Sequence, residues 1–231
     1  VFPIESAYGY HEVLVESPRH DDNWWGMSYN QLVLALKAMI ERIKFMINDP
    51  NVVFVLPFRN NGPTAGASII HPHMQIIGLS KVPKTIIEEC EGFSGDCPYC
   101  RVIEIERSLE ERVIYENQEI IALAPWASRV PFEVLILPKE HEETIINAND
   151  KLLYDLSEVI VKVFKAMRDC LGDFDFNAWF HIAPKHYRNF HWHLEVLPRT
   201  SIFAGLELGS QVYINVTPPE LVANELRGRI S

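Results

Sequence analysis

Residues 69–77 read IIHPHMQII, and residues 190–198 read FHWHLEVLP. In an extended strand alternate side chains share a face. His71, His73 and Gln75 therefore point one way in the first stretch, and His191, His193 and Glu195 do so in the second. Each stretch reads as a strand with one apolar face and one face of ionisable or hydrogen-bonding groups. The same figure written twice raises the question of whether the whole chain is written twice.

Sliding the chain over itself by about 121 positions answers it, because Glu12-Val-Leu-Val15 then lies over Glu133-Val-Leu-Ile136 and His20 over His141. Both segments read as strands ending in a proline turn. A helix follows in each copy. Ser28 opens the first, with Gln31 three residues on as a capping box, and Leu32, Leu36, Met39, Ile43 and Met46 keep a helical period. Asn149 opens the second, with Leu152, Leu156, Ile160, Val163 and Met167 on one face and Gly172 as the stop. Both helices lead into strands, NVVFVLPF and FNAWFHIAP, and then into the histidine strand. The expected class is α+β, with two related halves, each an antiparallel sheet with a packed helix. We place the halves at residues 1–91 and 92–231, joined by a linker in EECEGFSGD. The chain opens at Val1 in what reads as structured sequence, so an amino-terminal part of the first half is expected to precede it.

The chain has 231 residues, 48% of them hydrophobic, enough to bury a substantial core. A formal charge of −10 argues against a nucleic-acid surface, which needs clustered Lys and Arg. The longest apolar segment, LVLALKAMIERIKFMI, is interrupted by Lys37, Glu41, Arg42 and Lys44 and does not read as a membrane span. A cytoplasmic location is the expectation. Trp24 and Trp25 read as core or interface packing.

Two kinds of chemistry are written into the copies. Cys97 and Cys100, in DCPYC, precede the second copy, which supplies His141 and His191. Two thiolates and two imidazoles make a closed tetrahedral zinc site of structural type. Glu89, His181, His191 and His193 form a competing set, suited to zinc or iron. In the first copy His20 and His71 stand where His141 and His191 stand in the second, but their cysteine partners would fall upstream of Val1.

The first copy carries different equipment. The loop RNNGPTAGAS (59–68) leads straight into the histidine strand, and small residues such as Gly62, Gly66 and Ser68 let backbone N–H groups approach an anion. An imidazole beside an anchored phosphate can attack phosphorus and form a covalent nucleotidyl-histidine. His73 is the candidate nucleophile, and Gln75 can donate to phosphoryl oxygens as charge develops. Glu195 would repel that charge, which makes the second copy the poorer catalyst.

NNGPTAGASIIHPHMQ, together with CPYC, LILPKEH, HWHLEVLPR and YINVTPPELVANELR, resembles galactose-1-phosphate uridylyltransferases of the histidine-triad superfamily; the plant-type ADP-glucose phosphorylases share the layout. The resemblance implies a double displacement. His73 would take a uridylyl group from UDP-glucose and pass it to galactose 1-phosphate, with Asn60, Asn61, Gly62, Gly66, Ala67, Ser68 and Gln75 at the phosphates. It implies metal roles for His20 and His71, and for either Cys97, Cys100, His141 and His191 or Glu89, His181, His191 and His193. It also implies a homodimer acting on a nucleotide sugar and a hexose 1-phosphate. The chain departs from the family pattern at Met74, where many members have Gly or Ser.

Overall fold

The computed structural model describes residue 4, residues 6–93 and residues 95–230. Val1, the abrupt start, and Ser94, inside the expected linker, lie outside the described residues. In chain order the elements are β1 (Gly9–Val15), α1 (Tyr29–Ile47), β2 (Phe54–Asn61), β3 (His73–Leu79), α2 (Lys84–Gly92), α3 (Pro98–Leu109), β4 (Val113–Glu116), β5 (Ile120–Leu123), β6 (Val134–Pro138), α4 (Asp150–Leu171), β7 (Phe176–His181), β8 (His193–Pro198), α5 (Gly205–Ser210) and α6 (Pro219–Arg227).

The repeat is visible in the strand order. All eight strands are antiparallel to their neighbours in one sheet, β1-β3-β2-β7-β8-β6-β5-β4. The first unit contributes β1-β3-β2 and the second contributes β7-β8-β6, its mirror order. The two sets merge through β2 and β7, where Phe58 lies opposite Trp179. One row crosses both units on a single face: Val13, Gln75, Phe58, Trp179, Glu195, Leu135.

This register corrects the single shift of 121. Gln75 to Glu195 is a step of 120, Phe58 to Trp179 one of 121, and Val13 to Leu135 one of 122. Connections that differ by one residue cause the drift, and one residue reverses which face a strand side chain takes. Glu12 and Glu133, superposed in the sequence, accordingly do different things. Glu12 reaches Arg42 of α1 at 2.7 Å, whereas Glu133 holds Arg129 on the opposite side of the sheet.

α1 and α4 pack side by side on one face. The expected stripes, Leu32, Leu36, Met39, Ile43 and Met46 on α1 and Leu152, Leu156, Ile160, Val163 and Met167 on α4, are all buried. Each such side chain contributes roughly 1.5–3 kcal/mol on burial. Met74, the odd residue in the histidine strand, points to this face and joins the core. Trp24 is buried against Phe164 and Phe176, and Trp25 packs on Phe174. Ser28 accepts the Gln31 amide as expected, but the Gln31 side chain donates to the Glu16 carbonyl instead of closing the capping box.

The opposite face is covered unevenly. α2 lays Ile86, Cys90 and Phe93 over Phe54 and Phe190, and α3 lays Tyr99 and Ile103 over Ile121, Leu123, Leu135 and Leu137. Residues 88–92 of the expected linker are thus the end of α2, held there by this apolar contact. Among the described residues nothing comparable lies over β1, where Val13 and Val15 are 57% and 58% exposed. The β1 side of the face carrying Gln75 is therefore open, although His73 itself is buried, and its counterpart in the second unit is closed. Among the described residues no helix is long and apolar enough to cross a membrane.

Candidate active site and metal centres

β3 presents His73 and Gln75 on one face, with His73 buried and Gln75 half-buried. The His73 Nδ1 lies 2.7 Å from the His71 carbonyl. With its proton on Nδ1, the ring donates to that carbonyl and keeps Nε2 as a lone-pair nitrogen. Beneath the strand, Glu16 and Arg59 form a buried ion pair at 2.9 Å, with the Trp24 indole donating to Glu16 at 2.9 Å. Burial raises the Glu16 carboxyl and Arg59 opposes that; burial lowers the Arg59 guanidinium and Glu16 opposes that. Arg59 also donates to Asn23, which in turn donates to Asn61.

The glycine loop is braced by the second unit. Gly62 has φ +83° and Gly66 φ +82°, the left-handed region that favours glycine. A Cβ on Gly62 would lie 1.8 Å from an Asp175 carboxylate oxygen. That carboxylate accepts from both the backbone N–H and the hydroxyl of Thr64, at 2.7 and 2.6 Å. Asn177 donates to Asn60 and to the Ala65 carbonyl. The N–H groups of Ala65, Gly66 and Ala67 close onto Gly62 and Pro63. The loop is thus a fixed turn beside a cavity of about 530 Å³, lined among others by His20, Asn61, Gly62, Ala67 and Ser68.

Cys97, Cys100, His141 and His191 converge at one point. Cys97 caps α3, its sulfur accepting the Cys100 N–H, with Pro98 at the first helical position. The thiol-to-Nδ1 separations are 3.4, 3.5 and 3.6 Å. Bonds of about 2.3 Å to sulfur and 2.05 Å to nitrogen, set tetrahedrally, put sulfur and nitrogen about 3.6 Å apart. The observed spacing fits a common centre. His191 donates from Nε2 to the Pro138 carbonyl at 2.9 Å, which fixes Nδ1 as the ligating atom. Burial pushes the His191 imidazole down to about 4 and the Cys100 thiol up to about 11. A divalent cation at the centre would reverse the thiol's preference.

Glu89, His181 and His193 form a separate group. The Glu89 oxygens lie 3.0 Å from His181 Nδ1 and 3.2 Å from His193 Nε2, and Glu195 lies 3.4 and 3.5 Å from the same nitrogens. Both nitrogens are buried without a partner of hydrogen-bonding geometry, so this donor set too is compatible with a cation. Burial would lower the His193 imidazole, but the Glu195 and Glu89 carboxylates outweigh it and raise it. Burial would raise the Glu195 carboxyl, but His193 and Arg129 hold it well below the usual range.

The structure therefore divides the sets that the sequence left competing. His191 faces the cysteines, His193 faces Glu89, and the two groups stand side by side. His20 and His71 also meet, Nδ1 to Nδ1 at 2.9 Å, and His71 donates from Nε2 to the Ser17 carbonyl at 2.8 Å. Asp175, Asn177, Arg59, Glu16, Arg129 and Tyr99 escaped the sequence reading. A polar residue at an inward strand position is the available signal for Arg59, and Asp175 carried none.

A histidine strand, a braced glycine loop and two clusters of candidate metal ligands on a duplicated antiparallel sheet define a histidine-strand α+β protein. The chain belongs to the family described as Domain of unknown function (DUF4921), whose model matches residues 27–231, and to the galactose-1-phosphate uridylyltransferase family. It is 31% identical over 244 residues to the galactose-1-phosphate uridylyltransferase of Thermotoga maritima, covering 98% of this chain and 76% of that one. It is 29% identical over 232 residues to the ADP-glucose phosphorylase of Arabidopsis thaliana, covering 96% of this chain and 65% of the relative's length. The crystal structure of an ADP-glucose phosphorylase from Arabidopsis thaliana with bound ADP-glucose superposes with a TM-score of 0.88 at 28% identity, covering 95% of this chain and 72% of that one.

Proposed function

We propose that this chain carries the catalytic strand of a nucleotidyltransferase, a UDP-glucose–hexose-1-phosphate uridylyltransferase working by double displacement on His73. The observation that carries the reading is the His73 ring, tied by Nδ1 to the His71 carbonyl, which leaves Nε2 as its lone-pair nitrogen. In the first step Nε2 bonds to the α-phosphorus, the bond to the β-phosphoryl oxygen breaks, and glucose 1-phosphate leaves. In the second, a phosphate oxygen of the incoming hexose 1-phosphate attacks the adduct and His73 is regenerated. Gln75 donates to the α-phosphoryl oxygens, and Asn60, Asn61, Gly62, Gly66, Ala67 and Ser68 receive the phosphates.

Cys97, Cys100, His141 and His191 would hold a structural zinc, which pins α3 to the sheet. The group of Glu89, His181 and His193 would take zinc or iron. His20 and His71 would form half of a further site. Residues 1–91 and 92–231 would act as catalytic and structural halves, in a cytoplasmic homodimer. Pairing is supported by the apolar side chains at Ile202, Leu208, Ile214 and Val216, all more than half exposed. The likeness to a relative named ADP-glucose phosphorylase favours a second reading, in which His73 is adenylylated and inorganic phosphate discharges it.

Mass spectrometry of the intact protein after incubation with UDP-glucose or ADP-glucose separates the readings. We expect a uridylyl mass that His73→Ala abolishes and hexose 1-phosphate removes. An adenylyl mass discharged by phosphate selects the second reading. Nucleotide binding without any adduct sinks both in favour of a non-catalytic zinc-stabilised module.

A further inference from the structure

We propose that His11 is a positioning residue for this reaction, locking the Gln75 carboxamide in the one orientation that presents its NH2 group to the phosphoryl oxygens. The inference rests on the reading of His73 as nucleophile. β1 pairs with β3 so that Val13 lies opposite Gln75 and His11 opposite Ile77, which makes His11 the diagonal neighbour of Gln75 on the open face. Its Nε2 lies 2.7 Å from the Gln75 Oε1. A carboxamide has an acceptor at one end and a double donor at the other, of nearly equal shape. Unrestrained, it turns either end toward an anion, and the oxygen end is repulsive there. A ring N–H engaged with Oε1 removes that choice.

The second unit supports the assignment by its own arrangement. There the residue diagonal to Glu195 is Glu133, by the same register. Glu133 binds Arg129, and Arg129 in turn contacts Glu195. In both units, then, the residue diagonal to the polar position on the histidine strand governs how that position is oriented. It does so directly through His11 in one and through an arginine in the other. His11 is exposed on an edge strand, so its replacement disturbs no buried group.

The test is a rate measurement of His73 nucleotidylation on the full-length protein, using UDP-glucose and ADP-glucose, with His11→Ala, His11→Lys and His11→Glu. Lysine only donates, so it keeps Oε1 engaged; glutamate only accepts, so it captures the NH2 group and turns the oxygen toward substrate. Removing one oriented donor from a developing oxyanion costs about 10²–10³ in rate. We expect His11→Lys to stay within about threefold of the parent, His11→Ala to fall roughly tenfold, and His11→Glu to fall furthest, with kcat moving more than KM. The same ranking would follow from a charge acting on the phosphate directly. The three variants are therefore repeated in a Gln75→Ala background, where the ranking must vanish if His11 acts through Gln75. Persistence of the ranking there, or equal rates for all three variants in the parent, overturns the inference. Absence of any adduct in the parent instead overturns the function on which it rests.

Discussion

The two histidine strands have nearly the same backbone bonding and opposite surroundings. In each, the first histidine donates from Nε2 to a carbonyl of the neighbouring segment, Ser17 or Pro138, which turns Nδ1 toward His20 in the first unit and toward the cysteines in the second. In each, the second histidine has Nδ1 on the carbonyl of the first, at 2.7 Å for His73 and 2.9 Å for His193, which turns Nε2 outward. What differs is the layer in front. Glu89, Glu195 and the ring of Tyr99 close over His193, which is fully buried. Among the described residues no helix covers the β1 side of His73, which is buried but less completely than His193. The backbone bonding of the two strands is alike, and the covering helices α2 and α3 make their surroundings different.

Breaking the cover of the second unit tests this most severely. Cys97→Ser removes one ligand from the closed set, and metal analysis should show one fewer zinc per chain, with the unfolding temperature falling more than in any change below. A structural zinc returns on the order of 10 kcal/mol on binding, and the part coupled to folding is lost. His20→Ala, by contrast, should leave that zinc in place. Unchanged metal content in Cys97→Ser would mean that the four converging side chains hold no ion.

A second contrast lies beneath the strands. The first unit buries the Glu16–Arg59 pair there, at positions that the register matches to Pro138 and Phe180 in the second unit. Both replacements are apolar and buried. Glu16→Leu strands the Arg59 charge, and removing one partner of a buried pair costs roughly 3–5 kcal/mol. The double change Glu16→Leu/Arg59→Met should recover most of that loss in denaturant unfolding, since an apolar core of similar volume is tolerated. If the double variant also keeps its rate of adduct formation, the pair serves folding alone. A lost rate with restored stability would mean that Arg59 holds the loop through Asn23 and Asn61.

Much of this organisation was legible in residue order. Helical periods, caps and the repeated histidine strand each follow from local spacing, which sequence records. The apolar stripes of α1 and α4 are buried as read. The register could not be read to one residue, because loops of unequal length leave the same apolar pattern compatible with shifts of 120, 121 or 122. Nor could the separation of His191 from His193, since alternation places both on one face. Only α3, carrying the cysteines to one, and α2, carrying Glu89 to the other, tells them apart. Asp175 was invisible because its function depends on a partner 111 residues away.

The smallest expected effect concerns the loops before the two strands. The second unit turns there without glycine, using His186 and Asn189 at φ +74° and +64°. Left-handed backbone is therefore tolerable in this setting for residues other than glycine. Gly66 has the same sign of φ and no atom within 4 Å of an added Cβ, so Gly66→Ala should cost only the left-handed strain, about 1–2 kcal/mol, and Gly66→Asn less. Gly62→Ala has a harsher backbone strain, because φ +83° with ψ 162° is a region held essentially by glycine, plus a collision with Asp175, whose displacement releases both Thr64 bonds. Thermal unfolding should rank Gly66→Asn, Gly66→Ala and Gly62→Ala in order of increasing loss. Equal losses at the two glycines would mean that Asp175 yields freely and braces nothing. The ranking as stated is expected if the second unit, through Asp175, helps to fix the glycine loop of the first.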